Sequence, residues 1–163
     1  MIFIITGTQE PFDRLLKLVK KIIPDYFGEI VIQAKTDILF HEKHVKVYDF
    51  LEPDEFKYFF EKASLIVSHA GMGTIISALS QEKPILIFPR KVTLREHRND
   101  HQLATAKKMI ESGYVYVAME ETEFLEKLRF LIAQETVEPL YRIGPYASFE
   151  LLNSISQFID RLS

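Results

Sequence analysis

Short apolar runs alternate with longer amphipathic segments along almost the whole chain, and this alternation limits the possible folds more than any other feature. The short runs are rich in isoleucine and valine, which predicts buried strands. The longer segments place apolar residues at helical spacing, which predicts helices. We therefore expect an α/β fold: a Rossmann-like parallel sheet with helices on both faces.

The predicted elements leave no segment that would separate two domains. The expected strands are 2–5, 29–34, 45–50, 63–67, 85–88 and 114–118, and the expected helices are 11–23, 53–62, 75–79, 100–112, 121–133 and 149–162. A chain of 163 residues with 47% apolar residues fits a single domain over 1–163. We expect the apolar stripe of the last helix to pack on the sheet, although the stripe also suits docking to a partner.

Composition narrows the chemistry. The chain has no cysteine, which excludes disulfides, thiolate metal sites and cysteine nucleophiles. A net charge of −3 gives no general reason to expect nucleic acid as a partner. The first residues resemble neither a signal peptide nor a membrane span, so we expect a cytoplasmic protein.

The segment Ser68-His69-Ala70-Gly71-Met72-Gly73-Thr74 joins a predicted strand to a predicted helix. Its two glycines allow backbone N–H groups to come close to a ligand. The helix N-terminus that follows offers unpaired N–H groups and a partial positive charge. This combination is typical of an anion site, most often a phosphate site, although two glycines alone also suit an ordinary tight turn.

Three further loops follow predicted strands: residues 7–9, 33–35 and 89–102. In parallel sheets the ligand binds beyond the carboxyl ends of the strands, where the strand order reverses. We therefore expect these loops and the glycine segment to converge on one crevice.

Several motifs occur in an order that is known from one family. They are Gly7-Thr8-Gln9 with Phe12-Asp13, the glycine segment 68–74, Lys83-Pro84, Phe88-Pro89 and Asn99-Asp100-His101-Gln102-Leu103-Ala104. Over about residues 1–120 the set resembles the C-terminal, donor-binding half of family 28 glycosyltransferases, which have the two-domain GT-B architecture. The resemblance is greatest to stand-alone donor halves of two-component enzymes, in the dolichol pathway and in bacterial capsule and exopolysaccharide synthesis.

The resemblance implies a UDP-sugar donor bound without an essential metal or other cofactor. The donor-binding residues carried over are Gly7, Thr8, Gln9, Ser68, His69, Gly71, Met72, Gly73, Thr74, Asp100, His101 and Gln102. It implies that His69 stabilises the leaving group. The family's acceptor-binding domain is missing from this sequence, which implies a membrane-anchored partner subunit that supplies it.

The residues that would act on the acceptor stay open at this point. The general base is unknown: it comes from the partner or from Glu10 or Asp13, with Asp100 a weaker candidate. We expect Arg90, Arg95 and Arg98 to contact a phosphate or the acceptor, unless their loop is only solvated surface.

His97 and His101 are four residues apart, so a helix would place them on one face as metal ligands are often placed. The His-Glu-x-x-His pattern is absent, and contact with a sugar or phosphate is the better interpretation. The hydrolase, dinucleotide and Walker A motifs are absent as well.

The leading hypothesis is the catalytic, donor-binding subunit of an inverting UDP-sugar glycosyltransferase with a lipid-linked diphosphate acceptor. The alternative is a non-catalytic subunit that stimulates or stabilises a partner transferase, and a related nucleotide-sugar epimerase is a weaker third. We expect the partner to recruit the chain to the cytoplasmic face of the membrane. Homo-oligomerisation stays open.

Overall fold

The computed structural model describes residues 1–144, 146 and 149–161. The strands are β1 (Ile2–Ile5), β2 (Ile30–Gln33), β3 (Val45–Tyr48), β4 (Leu65–His69), β5 (Ile85–Phe88) and β6 (Tyr116–Val117). They form a six-stranded sheet in the order β3-β2-β1-β4-β5-β6, and all its pairings are parallel. The expected Rossmann-like sheet is confirmed.

Helices cover both faces of this sheet, and one more helix, the last, does not pack on it. They are α1 (Asp13–Lys20), α2 (Pro53–Lys62), α3 (Met72–Ser80), α4 (His101–Ser112), α5 (Glu121–Ile132) and α6 (Phe149–Asp160), with short 3₁₀ turns at Ile23–Asp25 and Val92–Leu94. Apolar side chains of α1 and α5 form the core on one face, and those of α2, α3 and α4 form the core on the other. Successive strand residues point to opposite faces, so each strand contributes to both cores.

The strand order reverses between β1 and β4. The chain leaves β1 towards β2 on one side and leaves β4 towards β5 on the other. The register pairs Ile5 with Ser68 at the carboxyl ends of these two central strands. Such a reversal opens a crevice at this edge of the sheet, where ligands of α/β proteins bind.

The glycine segment is more regular than the sequence pattern indicates. The strand extends to His69, and the helix starts at Met72, so the predicted end at residue 67 and start at residue 75 were wrong. Ser68 pairs with β1 and β5, and its hydroxyl donates to the Ile5 carbonyl at 3.0 Å, which allows a polar residue inside the sheet. Glycine is a poor helix former, which masks the start of α3.

The predicted helix 11–23 is also shorter than expected. The helix α1 ends at Lys20, and a 3₁₀ turn over Ile23–Asp25 follows. Pro24 lies inside this turn, because the first positions of a helical turn need no backbone N–H.

The connector that precedes the last helix lies against the body of the protein. Its Ile143 N–H donates to the Leu79 carbonyl at 3.2 Å, and the Tyr141 ring stacks on Tyr114 at 3.9 Å. The connector therefore contacts the end of α3 and the segment just before β6.

The expectation that the last helix packs on the sheet was wrong. Its apolar stripe is exposed to solvent, with 77% of Phe149, 63% of Phe158 and 48% of Ile155 accessible. An amphipathic pattern shows that a helix has an apolar side but does not identify what covers it. The predicted last residue of this helix, Leu162, lies outside the described residues.

Within the described part of the chain, the helices are too short or too polar for any of them to cross a bilayer.

Candidate functional site

A cavity of about 240 Å³ lies at the strand-order reversal. The loop after β1, the end of β4 and the segment after β5 form its walls. Its lining residues are Gly7, Thr8, Gln9, Glu10, His69, Arg90, His97 and Gln102. Three of the four expected segments therefore converge on one site.

Gly7 shapes the first wall of the cavity. It has a φ of +80°, which side chains other than glycine's rarely tolerate. A Cβ atom at this position would lie 3.3 Å from Cε1 of His69. Glycine therefore allows both the turn after β1 and the close approach of the imidazole.

Arg90 joins the loops that follow β1 and β5. Its side chain is buried, and its guanidinium donates to the Thr6 carbonyl at 2.6 Å and to the Glu10 carbonyl. The Phe12 ring lies beneath it at 5.0 Å, and the Arg90 N–H donates to Oε1 of Gln102 at 3.1 Å. A solvated surface was one interpretation of the loop that carries Arg90, but the structure buries this residue as an internal link between two walls.

The positive charge of Arg90 has no ion-pair partner among the described residues. Its Nε atom is buried without a hydrogen-bond acceptor. Burial lowers the pKa of Arg90, and the more distant carboxylates of Glu96 and Glu10 raise it. Since a guanidinium stays protonated in proteins, the cavity contains a buried, uncompensated positive charge, which favours an anionic ligand.

His69 is the last residue of β4, and its ring lies between the two glycine turns. Its Nδ1 atom is 3.3 Å from the Ile5 carbonyl and 3.3 Å from the Ser68 hydroxyl. Because a carbonyl oxygen only accepts, and the Ser68 hydroxyl already donates to it, we assign the ring proton to Nδ1. In this neutral ring Nε2 is the acceptor, and His69 lines the cavity.

Burial lowers the pKa of His69 to about 4, with smaller contributions from the charges of Arg90 and His97, while the hydrogen bond to Ile5 opposes the shift. The ring is therefore neutral at pH 7 in the free protein. Its positive neighbours and its burial disfavour a second proton.

We expect this histidine to make the protein less stable in acid. The pKa is about 4 in the folded state against about 6.5 for a histidine in an unfolded chain, so the unfolded state binds more protons between these values. The free energy of unfolding should fall by up to about 3 kcal/mol as the pH drops from 6.5 to 4. Above pH 6.5 this contribution of His69 to stability is fully present. Urea titrations at both pH values should show this loss in wild type and in the exposed-residue control His101→Gln, but not in His69→Gln. An equal acid loss in His69→Gln would contradict the assignment.

The N-terminus of α3 lies beside the imidazole. Gly71 is its N-cap and offers no side-chain hydrogen bond, so the first helical N–H groups stay available to a ligand. A Cβ atom on Gly71 would lie less than 3.0 Å from Nε2 of His69, whereas one on Gly73 would meet nothing within 4 Å. The turn thus follows the surface of the imidazole closely and brings the positive end of the helix dipole to the site.

The structure separates some of the residues that the sequence grouped together. From the motif at 100–102, only Gln102 lines the cavity. Asp100 is the N-cap residue of α4 and accepts a hydrogen bond from the Val92 N–H at 3.4 Å, while His101 is exposed. Met72, Gly73 and Thr74 form the first turn of α3 and do not line this cavity, and Ser68 lies buried behind His69.

His97 and His101 do not share a helix face. The helix α4 begins at His101, so His97 lies in the preceding loop, where its Nδ1 accepts a hydrogen bond from the Arg98 N–H at 2.9 Å. Over residues 1–144, 146 and 149–161, no three histidine, aspartate or glutamate side chains are placed to share a metal ion. The absence of an essential metal stays a prediction.

A second cleft, of about 390 Å³, adjoins the cavity. It is lined by Glu10, Val92, Arg95, His97 and Arg98, so Glu10 and His97 belong to both spaces. Two of the arginines expected to contact phosphate or acceptor therefore lie outside the cavity that contains Arg90.

An ion pair anchors the loop that carries Arg95, one of the residues of this cleft. The Arg14 guanidinium donates to both Glu96 oxygens, at 2.7 and 2.8 Å, and each side chain is 11% exposed. Glu96 also accepts from the Lys91 N–H at 2.9 Å. The sequence did not predict this pair, because nothing local links a helical arginine to a loop glutamate so distant in the chain.

Comparison with known proteins relates this chain to one family. The sequence profile of the glycosyltransferase family 28 C-terminal domain matches residues 1–140. The UDP-N-acetylglucosamine transferase subunit ALG13 of Eremothecium gossypii is 29% identical over 94 residues, which cover 58% of this chain and 44% of that protein.

A bacterial relative and a solved structure extend the comparison. The UDP-N-acetylglucosamine--N-acetylmuramyl-(pentapeptide) pyrophosphoryl-undecaprenol N-acetylglucosamine transferase of Shouchella clausii is 29% identical over 112 residues, covering 69% of this chain and 29% of that protein. The NMR structure of ALG13 superposes with a TM-score of 0.57 at 20% identity, covering 94% of this chain and 93% of that one, and this likeness concerns the fold alone.

The chain spans less than half the length of either sequence relative. The fold predicted from the sequence, equivalent to the C-terminal half of a GT-B protein, is confirmed. Because the family profile covers most of the chain, this protein belongs to the family of glycosyltransferase family 28 C-terminal domains.

Proposed function

We propose that this chain is the donor-binding, catalytic subunit of a two-component inverting glycosyltransferase that transfers a sugar from a UDP-sugar to a lipid-linked diphosphate acceptor. The observation that carries the proposal is the buried guanidinium of Arg90, which has no ion-pair partner among the described residues and lines a cavity beside the uncapped start of α3. This arrangement suits the diphosphate of a nucleotide sugar.

The proposed chemistry requires stabilisation of the departing UDP. Negative charge grows on the β-phosphate as its bond to the sugar breaks, and preorganised donors act on that charge without reorganising. A helix N-terminus contributes up to about 2 kcal/mol when partly buried, and one well-placed donor contributes about 3–4 kcal/mol. Arg90 supplies the charge that a metal ion supplies in other transferases, which supports binding without an essential metal.

His69 has a more specific role in this proposal than its sequence position suggests. In the free protein Nε2 is an acceptor, so it does not donate to a phosphate. The negative charge of a bound diphosphate favours protonation of the ring. We infer that His69 takes up a proton when the donor binds and then donates to the leaving group.

The relatives direct the choice of donor and acceptor. The names of both sequence relatives contain N-acetylglucosamine, and that of the bacterial one contains pyrophosphoryl-undecaprenol. UDP-N-acetylglucosamine is therefore the first donor to test, with a polyprenyl diphosphate sugar as acceptor. We place the reaction in capsule, exopolysaccharide or lipid-linked oligosaccharide synthesis at the cytoplasmic face of the membrane.

The exposed stripe of α6 is our proposed contact with the acceptor-binding subunit. Since every α6 side chain that the structure describes is exposed, deleting residues 145–163 should change the melting temperature by no more than about 2 °C. UDP affinity should also stay unchanged, while transfer in the presence of the partner subunit should be lost. A truncated chain that keeps full transfer activity would contradict this assignment.

Calorimetry with a panel of nucleotide sugars tests the proposal, followed by transfer from the bound donor with the partner subunit present. We expect binding of UDP-sugars over GDP-sugars, and transfer that His69→Ala abolishes. The auxiliary-subunit hypothesis predicts the opposite: no UDP-sugar binding, and transfer that survives His69→Ala. Failure to transfer sugar from any UDP-sugar would overturn the catalytic proposal.

A further inference from the structure

The cleft beside the donor cavity contains two arginines without a carboxylate partner. Arg95 and Arg98 both line this space of about 390 Å³, and neither forms an ion pair within the described part of the chain. Glu10 is the only acid among the lining residues. The cleft thus has an excess of positive charge next to a cavity that already has the cation Arg90.

The walls of this cleft are fixed to the protein core. Arg90 holds the backbone carbonyl of Glu10 from inside, and the pair of Arg14 and Glu96 holds the opposite loop. Arg95 has a φ of +57°, a conformation that costs a residue other than glycine free energy. The backbone of the loop that carries Arg95 and Arg98 is therefore anchored before any ligand arrives, and both residues line the cleft.

Glu10 lies at the boundary between the two spaces, because it lines both. Its carboxylate accepts no hydrogen bond from the residues that the structure describes. The two other acids considered as general bases differ: Asp13 accepts from the Thr36 hydroxyl at 2.7 Å, Asp100 accepts from the Val92 N–H at 3.4 Å, and neither lines the donor cavity. Geometry therefore separates Glu10 from both.

We propose that this cleft binds the diphosphate of the acceptor through Arg95 and Arg98, and that Glu10 is the general base. This proposal rests on the proposed donor site. In the reaction, the acceptor hydroxyl oxygen forms a bond to C1 of the donor sugar, and its proton passes to the Glu10 carboxylate. The bond between C1 and the β-phosphate oxygen breaks, and UDP leaves with the electron pair.

The binding half of this proposal is tested on the full chain saturated with UDP, with geranyl diphosphate as the probe in calorimetry. We expect a second ligand to bind the UDP-loaded chain. The variant R95A/R98A should bind the probe about tenfold or more less tightly and should change UDP affinity by less than about twofold. Arg129→Ala, which removes an exposed arginine of α5 that pairs with Asp25, is the matched control and should change neither.

The outcomes separate the two proposals. If the wild-type chain does not bind UDP, the proposed donor site itself is wrong. If UDP binds normally, three results would overturn the proposed acceptor cleft. They are no binding of the probe, a probe that only competes with UDP, and a probe affinity that is unchanged in R95A/R98A.

The catalytic half is tested in the complex with the acceptor-binding subunit. Glu10→Gln should lower kcat by about 100-fold or more, with little change in the KM for the donor, and should remove the acidic limb of the kcat–pH profile. Glu10→Asp should restore part of the activity and of that limb. An unchanged pH profile in Glu10→Gln would overturn the assignment of the base.

Discussion

Replacing Arg90 by methionine should lower UDP affinity by about 100-fold or more, because the proposed charged donor to the diphosphate is removed. Methionine retains the length and the apolar contact with Phe12 but neither the charge nor the fork of N–H donors. The carbonyls of Thr6 and Glu10 also lose their donor, so the free energy of unfolding should fall by about 1–3 kcal/mol. Calorimetric titration with UDP, well below the melting temperature of the variant, measures the first effect and urea titration the second.

Arg129→Met is the matched control for this experiment. Its side chain is half exposed and forms a 3.5 Å ion pair with Asp25. Exposed ion pairs contribute at most about 1 kcal/mol, so we expect normal UDP affinity and little loss of stability. An Arg90→Met protein that is folded and binds UDP as tightly as wild type would remove Arg90 from the proposed donor site.

Replacing Gly71 by alanine should displace the imidazole of His69 and abolish donor binding. The backbone at Gly71 has a φ of −87°, which suits alanine, so the cost comes from the side chain alone. Its Cβ atom would lie less than 3.0 Å from Nε2 of His69, which is held in turn by Ile5. We expect a loss of about 1–3 kcal/mol in stability, the usual cost of overpacking a close contact.

Gly73 provides the matched control, since an added Cβ there meets nothing within 4 Å. Gly73→Ala lies within α3 and should stabilise the protein by about 0.5–1 kcal/mol through helix propensity. Removing the imidazole should relieve the clash, so Gly71→Ala should destabilise the His69→Ala background much less than wild type. If Gly71→Ala costs the same in both backgrounds, the two residues do not interact as described.

The sheet and its layering were predictable because their signals are local. Strands such as β1 and β5 are continuous apolar runs, and α2 begins at a proline and ends after Lys62, so their limits were predicted correctly. The glycine segment was harder, since Ser68 and His69 extend β4 although both are polar. The hydrogen bond of Ser68 to Ile5 that allows this depends on the neighbouring strand.

The site was predictable in its parts but not in its organisation. The glycine turns and Gln102 can be located from motifs. The internal role of Arg90 depends on two carbonyls of a loop about eighty residues earlier, and no local pattern reports it. The only sequence signal was its position two residues after β5, at the carboxyl edge of the sheet, where ligand-binding residues of such sheets are found.

The tautomer of His69 likewise could not be predicted from the sequence motif. It depends on which atom faces Nδ1, and that atom is a backbone carbonyl on β1. The neighbouring guanidinium further favours the neutral ring. A motif that names the histidine therefore does not reveal whether it donates or accepts.

A pair of NMR titrations, one with UDP and one with uridine, tests most directly whether the turn before α3 is a diphosphate site. We expect that UDP shifts the amide signals of Gly7 and of residues 71–74, and that uridine, which lacks the phosphates, binds about 100-fold more weakly or not at all. Equal affinities for UDP and uridine, or shifts confined to amides far from these two turns, would contradict it.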